Sequence, residues 1–171
     1  MSTLPEGVLL GNRVLVKDAY GELIQRGFGE KKDEGLVLSL YEAAYLLENG
    51  KLLLKLKDKL LDLENFLSYA ESVDPNFLVK YTVFRDIRNR GYVIKTGFKF
   101  GTHFRVYPRG KKPGEAHTQY VVQVVTEEDT LEPNDISRMV RVATGIRTQL
   151  LLAFVDSEND VVYYKVERIK L

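Results

Sequence analysis

Two side chains able to exchange protons flank one basic loop in this sequence. Tyr107 ends the segment Phe104-Arg-Val-Tyr107, and His117 follows the loop Pro108-Arg-Gly-Lys-Lys-Pro-Gly-Glu-Ala116. That loop is polar, basic and glycine-containing, which places it at the surface, where binding and catalytic residues concentrate. Across a phosphate held by Arg105, Arg109 and nearby backbone, Tyr107 and His117 could face one another and divide the work of base and acid. Taken by themselves, the same two residues also read as a strand-end packing tyrosine and a surface histidine. The chain has no cysteine and two histidines, which excludes thiol nucleophiles, Fe–S clusters and disulfides and leaves little material for a histidine metal site. His103, at an alternating strand position, reads as structural. Glu127, Glu128 and Asp129 are consecutive at a strand end, a pattern of a solvated turn or a docking surface more than of a metal site. Neither a metal nor a cofactor is expected.

Charge distribution favours a phosphate-rich partner. The net charge of +1 conceals a division at Val79: residues 1–78 carry 9 Lys/Arg and 13 Asp/Glu, whereas residues 79–171 carry 16 and 11. Between Lys80 and Lys112 ten basic residues stand against one acid, Asp86. Such a run beside aromatic residues suits nucleic acid, and it also suits a solvated helix face followed by a basic loop.

The elements that must position these residues follow from periodicity and punctuation. Strands are predicted at Gly7–Leu10 and Arg13–Val16, followed by turns at Gly21, Gly27 and Gly29. Ser39-Leu-Tyr-Glu42 is a capping box, so a helix is predicted from Ser39 to Gly50. Residues 52–57 alternate as a half-buried strand, and Asp62–Tyr69 resumes helical spacing. Asp74-Pro75 predicts a further helix start, after which Phe77, Tyr81, Phe84 and Ile87 form one buried stripe ended by Gly91. Strands at Tyr92–Lys95, Thr102–Tyr107 and Thr118–Thr126, a helix over Asn134–Ile146, and a hairpin of Leu150–Asp156 with Val161–Ile169 complete the chain. The predicted architecture is α/β (α+β): a small mixed N-terminal domain over 1–78, then a C-terminal α/β domain over 79–171 with a central mixed sheet. With 44% hydrophobic residues a packed core is expected rather than disorder. No apolar run approaches the ~20 residues of a membrane span. The opening residues, MSTLPEGVLL, lack the pattern of a signal peptide, so a cytoplasmic location is expected.

The segment YTVFRDIRNRGYVIKTGFKFGTHFRVY (81–107), with the following PRG, loop and EAHTQYVVQVV, resembles the catalytic domain of archaeal tRNA-splicing endonucleases. The stretch MVRVATGIR with LLLAFVDSENDVVYYKV (139–166) resembles the same domain, and the SLYEAAYLL helix is similar to that family's smaller N-terminal domain. The resemblance implies metal-independent cleavage of precursor tRNA at bulge-helix-bulge intron boundaries, leaving a 2′,3′-cyclic phosphate and a 5′-hydroxyl. It implies a Tyr, His and Lys triad in which Tyr107 takes the 2′-hydroxyl proton and His117 protonates the leaving 5′-oxygen. Arg141 falls on a cation that grips a bulged base, and Arg105, Arg109 and Lys99 are further cations expected to meet RNA.

At the third triad position the sequence departs from that pattern. The family lysine directly follows the arginine of the VRVA helix, and here Arg147 is followed by Thr148. A phenol with an ordinary pKa near 10 is a weak base at neutral pH, and charge developing on phosphorus calls for a nearby cation. The expectation is therefore impaired cleavage with RNA binding retained, a non-catalytic subunit on the same scaffold, or replacement by another cation such as Lys99, Lys165 or Arg147. Two bulges need two sites at fixed separation, so an oligomer is expected; the resemblance implies a homotetramer, or a heterotetramer with a second subunit, with Glu127, Glu128 and Asp129 as an oligomer contact.

Overall fold

The computed structural model describes residues 3–171, which form two compact units divided between Leu78 and Val79. Each is a mixed sheet with helices, as the sequence predicts.

The first unit runs β1 (Glu6–Leu10), β2 (Arg13–Val16), α1 (Gly21–Gln25), β3 (Glu30–Lys32), β4 (Gly35–Ser39), α2 (Leu40–Glu48), β5 (Leu53–Leu56), β6 (Lys59–Leu60) and α3 (Leu63–Val73). Its sheet has the order β3-β4-β2-β1-β5-β6, with β1 and β5 parallel. The glycine-punctuated stretch thus holds a short helix and a strand pair as well as turns. Residues 52–57 are not one strand: Lys57 and Asp58 adopt positive φ of 49° and 68°, a reversal that pairs β5 with β6 and satisfies the twist of a tight hairpin without any glycine.

The capping box of α2 is complete. The Glu42 backbone N–H donates to Ser39 Oγ at 3.1 Å, while Glu42 Oε1 accepts from the Ser39 backbone N–H at 3.0 Å. The second carboxylate oxygen accepts from the Gly29 backbone N–H at 2.6 Å, so one side chain, 3% exposed, joins the helix start to the preceding turn. Removing a buried charged acceptor strands both donors. Glu42→Ala is therefore expected to destabilise the protein by about 3 kcal/mol, from two charge-assisted bonds, against about 1 kcal/mol for the cap lost in Ser39→Ala. Urea unfolding followed by circular dichroism checks the ranking; equal losses would contradict it.

The second unit contains α4 (Phe77–Asn89, from Val79 onward), β7 (Val93–Thr96), β8 (Phe104–Tyr107), β9 (Tyr120–Thr126), α5 (Pro133–Gly145), β10 (Gln149–Val155) and β11 (Val161–Val166). Helix α4 begins at Phe77, two residues later than Asp74-Pro75 predicts. The Asp74 carboxylate accepts from the Asn76 N–H at 3.1 Å, and the Phe77 N–H donates to Asp74 O at 2.9 Å, so Pro75 lies in a turn. The predicted stripe Phe77, Tyr81, Phe84 and Ile87 is buried.

The sheet order is β11-β10-β9-β8-β7. Only β9 and β10 run parallel, because α5 carries the chain across from one to the other. Met139 and Ala143 of α5 pack on Val121, Val125, Leu150 and Leu152. The opposite face receives α4: the Phe84 and Phe104 rings lie 5.8 Å apart, and Tyr163 Oη donates to Asp86 Oδ2 at 2.6 Å. Burial, reinforced by the Asp86 carboxylate, holds the Tyr163 phenol above its ordinary value, so it remains a donor.

His103 is structural, as expected: its Nδ1 accepts from the Val124 backbone N–H at 2.9 Å. Gly97 closes the β7–β8 connection, where a Cβ would meet the Phe104 backbone at 2.7 Å. No helix of the described residues is long and apolar enough to cross a membrane.

Candidate active site

Strand register brings the candidate proton-exchanging residues to one end of the second sheet. Tyr107 is the last residue of β8. The Gln119 backbone N–H donates to Val106 O at 2.8 Å, and the Gln149 N–H donates to Gln119 O at 3.3 Å. These bonds align the end of β8, the entry to β9 and the entry to β10, so Tyr107, His117 and Thr148 all lie at this end.

Side-chain alternation decides which face they use. Arg105 pairs with Val121, which pairs with Leu150, and both of those partners belong to the cluster under α5. Arg105, its cross-strand neighbour Lys95 and Tyr107, two residues on, therefore project from the α5 face. The cluster's strand residues come from β9, β10 and β11, so Tyr107 and Arg105 project beside the helix rather than beneath it.

Arg105 is fixed at two points. Its Nε donates to Thr96 O at 3.1 Å and its Nη1 donates to Tyr107 Oη at 2.9 Å. Tyr107 is 4% exposed, so packing fixes the ring and the guanidinium meets its hydroxyl.

His117 is positioned by the end of α5. Arg147 takes a left-handed φ of 57°; its N–H donates to Thr144 O at 3.1 Å while the Thr148 N–H donates to Ala143 O at 2.8 Å. That pair of bonds closes the helix as a Schellman motif with an arginine where glycine is usual. The Ile146 carbonyl is left outside the helix and lies 2.7 Å from His117 Nε2. A carbonyl can only accept, so Nε2 carries a proton and Nδ1 is the ring nitrogen that this bond leaves unused. His117 itself is exposed.

Thr148 continues this turn. Its Oγ1 is the one buried side-chain polar atom among the described residues that lacks a hydrogen-bond partner, and it brings no charge to the site. The remaining expected residues are dispersed. Arg141 is exposed on α5. Arg109 is exposed, and its guanidinium lies 5.0 Å from the Tyr92 ring centre. Lys99 sits in the 3-10 turn Phe98–Phe100 between β7 and β8, at the end of those strands remote from Tyr107.

Glu127, Glu128 and Asp129 follow β9 at the other end of the sheet, about 20 Å away for a seven-residue strand. There the Asp129 carboxylate accepts from the Thr126 N–H at 2.8 Å, which folds the triplet into a turn. A cavity of about 430 Å³ lies at that remote end, lined by Phe154, Val162 and Tyr164 with Glu127, Asp129 and Asp156.

Two contacts of the site carry little signal in the sequence. The Ile146 carbonyl lies 29 residues from His117 and, as backbone, is marked by no residue type. Arg105 reads as a cation near phosphate, and only its i, i+2 spacing to Tyr107 signals that it shares that tyrosine's face.

The sequence of the chain is similar to known proteins along its length. Residues 5–67 match the N-terminal domain of the tRNA intron endonucleases, and residues 77–163 match their catalytic C-terminal domain. A tRNA-splicing endonuclease of Pyrococcus furiosus is 44% identical over 173 aligned residues, covering 99% of both chains. That of Methanothermobacter thermautotrophicus is 47% identical over 84% of this chain and 83% of its own. That of Thermococcus kodakarensis is 45% identical over 95% and 96% respectively. The chain belongs to the tRNA intron endonuclease family.

Proposed function

We propose that this chain is a tRNA-splicing endoribonuclease that cuts precursor tRNA at bulge-helix-bulge intron boundaries. The observation that carries the reading is the pairing of a cation-bound Tyr107 with a His117 oriented by the end of α5, in a member of this family. In the reaction, the Tyr107 oxygen, its own proton already lost to solvent, takes the proton of the 2′-hydroxyl. The 2′-oxygen forms a bond to phosphorus, the bond from phosphorus to the 5′-oxygen breaks, and His117 Nδ1 gives its proton to that oxygen. The products are a 2′,3′-cyclic phosphate and a 5′-hydroxyl, and solvent restores both side chains. Arg141 and Arg109 meet the RNA, stacking on bases or pairing with phosphates.

One chain carries one such site, so a substrate with two bulges needs at least two chains; the assembly proposed is a homotetramer, with a heterotetramer containing a second subunit as the other. Supporting this, β11 is an outer strand, and Val162 and Tyr164 on it are 50% and 52% exposed. The acidic turn at Glu127, Glu128 and Asp129 is the complementary surface for a basic face of another copy.

Thr148 at the lysine position makes the native chain slow. Thr148→Lys is expected to raise single-turnover cleavage of a short bulge-helix-bulge RNA, assayed in EDTA, by about 100-fold, the scale of one preorganised charge at a transition state. Cyclic-phosphate products are scored. Binding without cleavage in both proteins would favour the second reading, a non-catalytic RNA-binding subunit, which the uncharged Thr148 specifically suggests.

A further inference from the structure

We infer that Arg105 supplies the cation for Tyr107 in this chain, doing at the base the work for which the family pattern places a lysine at position 148. The inference rests on the endonuclease reading above and assigns Arg105 a role beyond gripping RNA.

Lys99, Arg147 and Lys165 make no hydrogen bond to the Tyr107 hydroxyl, which Arg105 does. Lys99 lies at the remote end of β7 and β8. Arg147 is exposed at the left-handed end of α5. Lys165 is exposed on β11 with the Glu167 carboxylate 4.0 Å from its ammonium. Arg105, by contrast, donates to the hydroxyl of Tyr107 at 2.9 Å, and its second anchor on Thr96 O holds the fork in place. A guanidinium keeps its charge at any working pH, and its planar fork loses little freedom on binding. Two of its five N–H groups are used by Thr96 and Tyr107, which leaves three for the oxygens of a scissile phosphate.

One side chain can thus stabilise the negative charge on the tyrosine oxygen and the charge that develops on the phosphate as the 2′-oxygen attacks. Lys95, cross-strand from Arg105 on the same face, adds to the positive field from β7. The arrangement gives the base one charged partner in a chain with a threonine at position 148, and a lysine placed there would add a second charge to it.

The test is a cycle of variants in the full chain: native, Arg105→Gln, Thr148→Lys, and the double variant. Each is assayed for single-turnover cleavage and for binding of the same bulge-helix-bulge RNA, after circular dichroism confirms folding. Arg105→Gln is expected to reduce the native rate at least ~100-fold while weakening binding less than about fivefold, and Arg105→Lys to recover part of the rate. In the Thr148→Lys background the same Arg105→Gln change is expected to cost under about tenfold, because the lysine supplies the missing charge. Equal losses in the two backgrounds, with binding reduced in parallel, would show that Arg105 only holds RNA and overturn the inference. Native protein inert while Thr148→Lys cleaves overturns it too, yet preserves the endonuclease reading; failure of both to cleave removes that reading as well. If Arg105→Gln does not fold, the comparison rests on Arg105→Lys, whose rate loss must again be larger in the native than in the Thr148→Lys background.

Discussion

Replacing His117 by alanine is expected to slow cleavage of a bulge-helix-bulge RNA by a factor of about 100 to 10,000, the usual range for a positioned general acid. The fold is expected to persist, because His117 is exposed and its ring bonds the Ile146 carbonyl, at 2.7 Å, from the surface. The loss is specific to the leaving group. Nε2 is occupied by that carbonyl, so in the proposed mechanism the proton delivered to the 5′-oxygen comes from Nδ1. A substrate with sulfur in place of the scissile 5′-oxygen has a leaving group that departs without a proton. On that substrate His117→Ala is expected to cleave within about tenfold of the unsubstituted chain, since only the acid contribution has been removed. Single-turnover rates on the two RNAs decide the matter: an equal deficit on both would assign His117 to binding or positioning and not to acid catalysis.

Tyr107→Phe is expected to lower the rate by a similar factor of about 100 to 10,000, for loss of the base. It keeps the buried ring and deletes one oxygen. Stability should change by about 1 kcal/mol, the net worth of one hydrogen bond, since the Arg105 side chain it frees is half-buried and still held through Nε on Thr96 O. RNA affinity should be nearly unchanged. The informative combination is Tyr107→Phe with Thr148→Lys. A lysine can replace a missing charge but cannot accept the 2′-hydroxyl proton while it is itself an ammonium, so the double variant should remain as slow as Tyr107→Phe. Rescue by the lysine would mean that the tyrosine oxygen is not the base, and the proton would have to be assigned elsewhere.

The two variants also separate Tyr107 from Arg105. A defect at the charge partner is repairable from position 148, whereas a defect at the proton acceptor is not. That difference follows from the geometry, in which Arg105 Nη1 donates to Tyr107 Oη while its Nε donates one strand away to Thr96 O on β7.

Local interactions are legible in the sequence alone. Ser39 and Glu42 declare the start of α2 because both partners of the capping box lie within one helical turn. The stripe of Phe77, Tyr81, Phe84 and Ile87 declares the buried face of α4, because burial repeats with the helical period. The glycine-free Lys57–Asp58 reversal is not legible, since the pattern of residues 52–57 reads as one continuous strand and the turn is imposed by pairing of β5 with β6. The start of α4 is displaced for a related reason: Asp74 and Pro75 fit a cap and a first turn, yet the same residues fit the turn that follows α3.

Residue types, loop chemistry and family motifs are enough to name Tyr107, His117 and the uncharged Thr148 as a candidate site, because each lies beside a local signal in the chain. Which groups touch them depends on strand register and on the way α5 ends. Register puts Arg105 and Tyr107 on the α5 face beyond the cover of the helix and leaves Lys99 at the opposite end of the sheet. The left-handed Arg147 turns the Ile146 carbonyl out to meet a histidine distant in sequence. A periodic pattern encodes which face of an element is buried, but a hydrogen bond between elements needs their relative positions to within a few tenths of an ångström, and only the packed fold sets those.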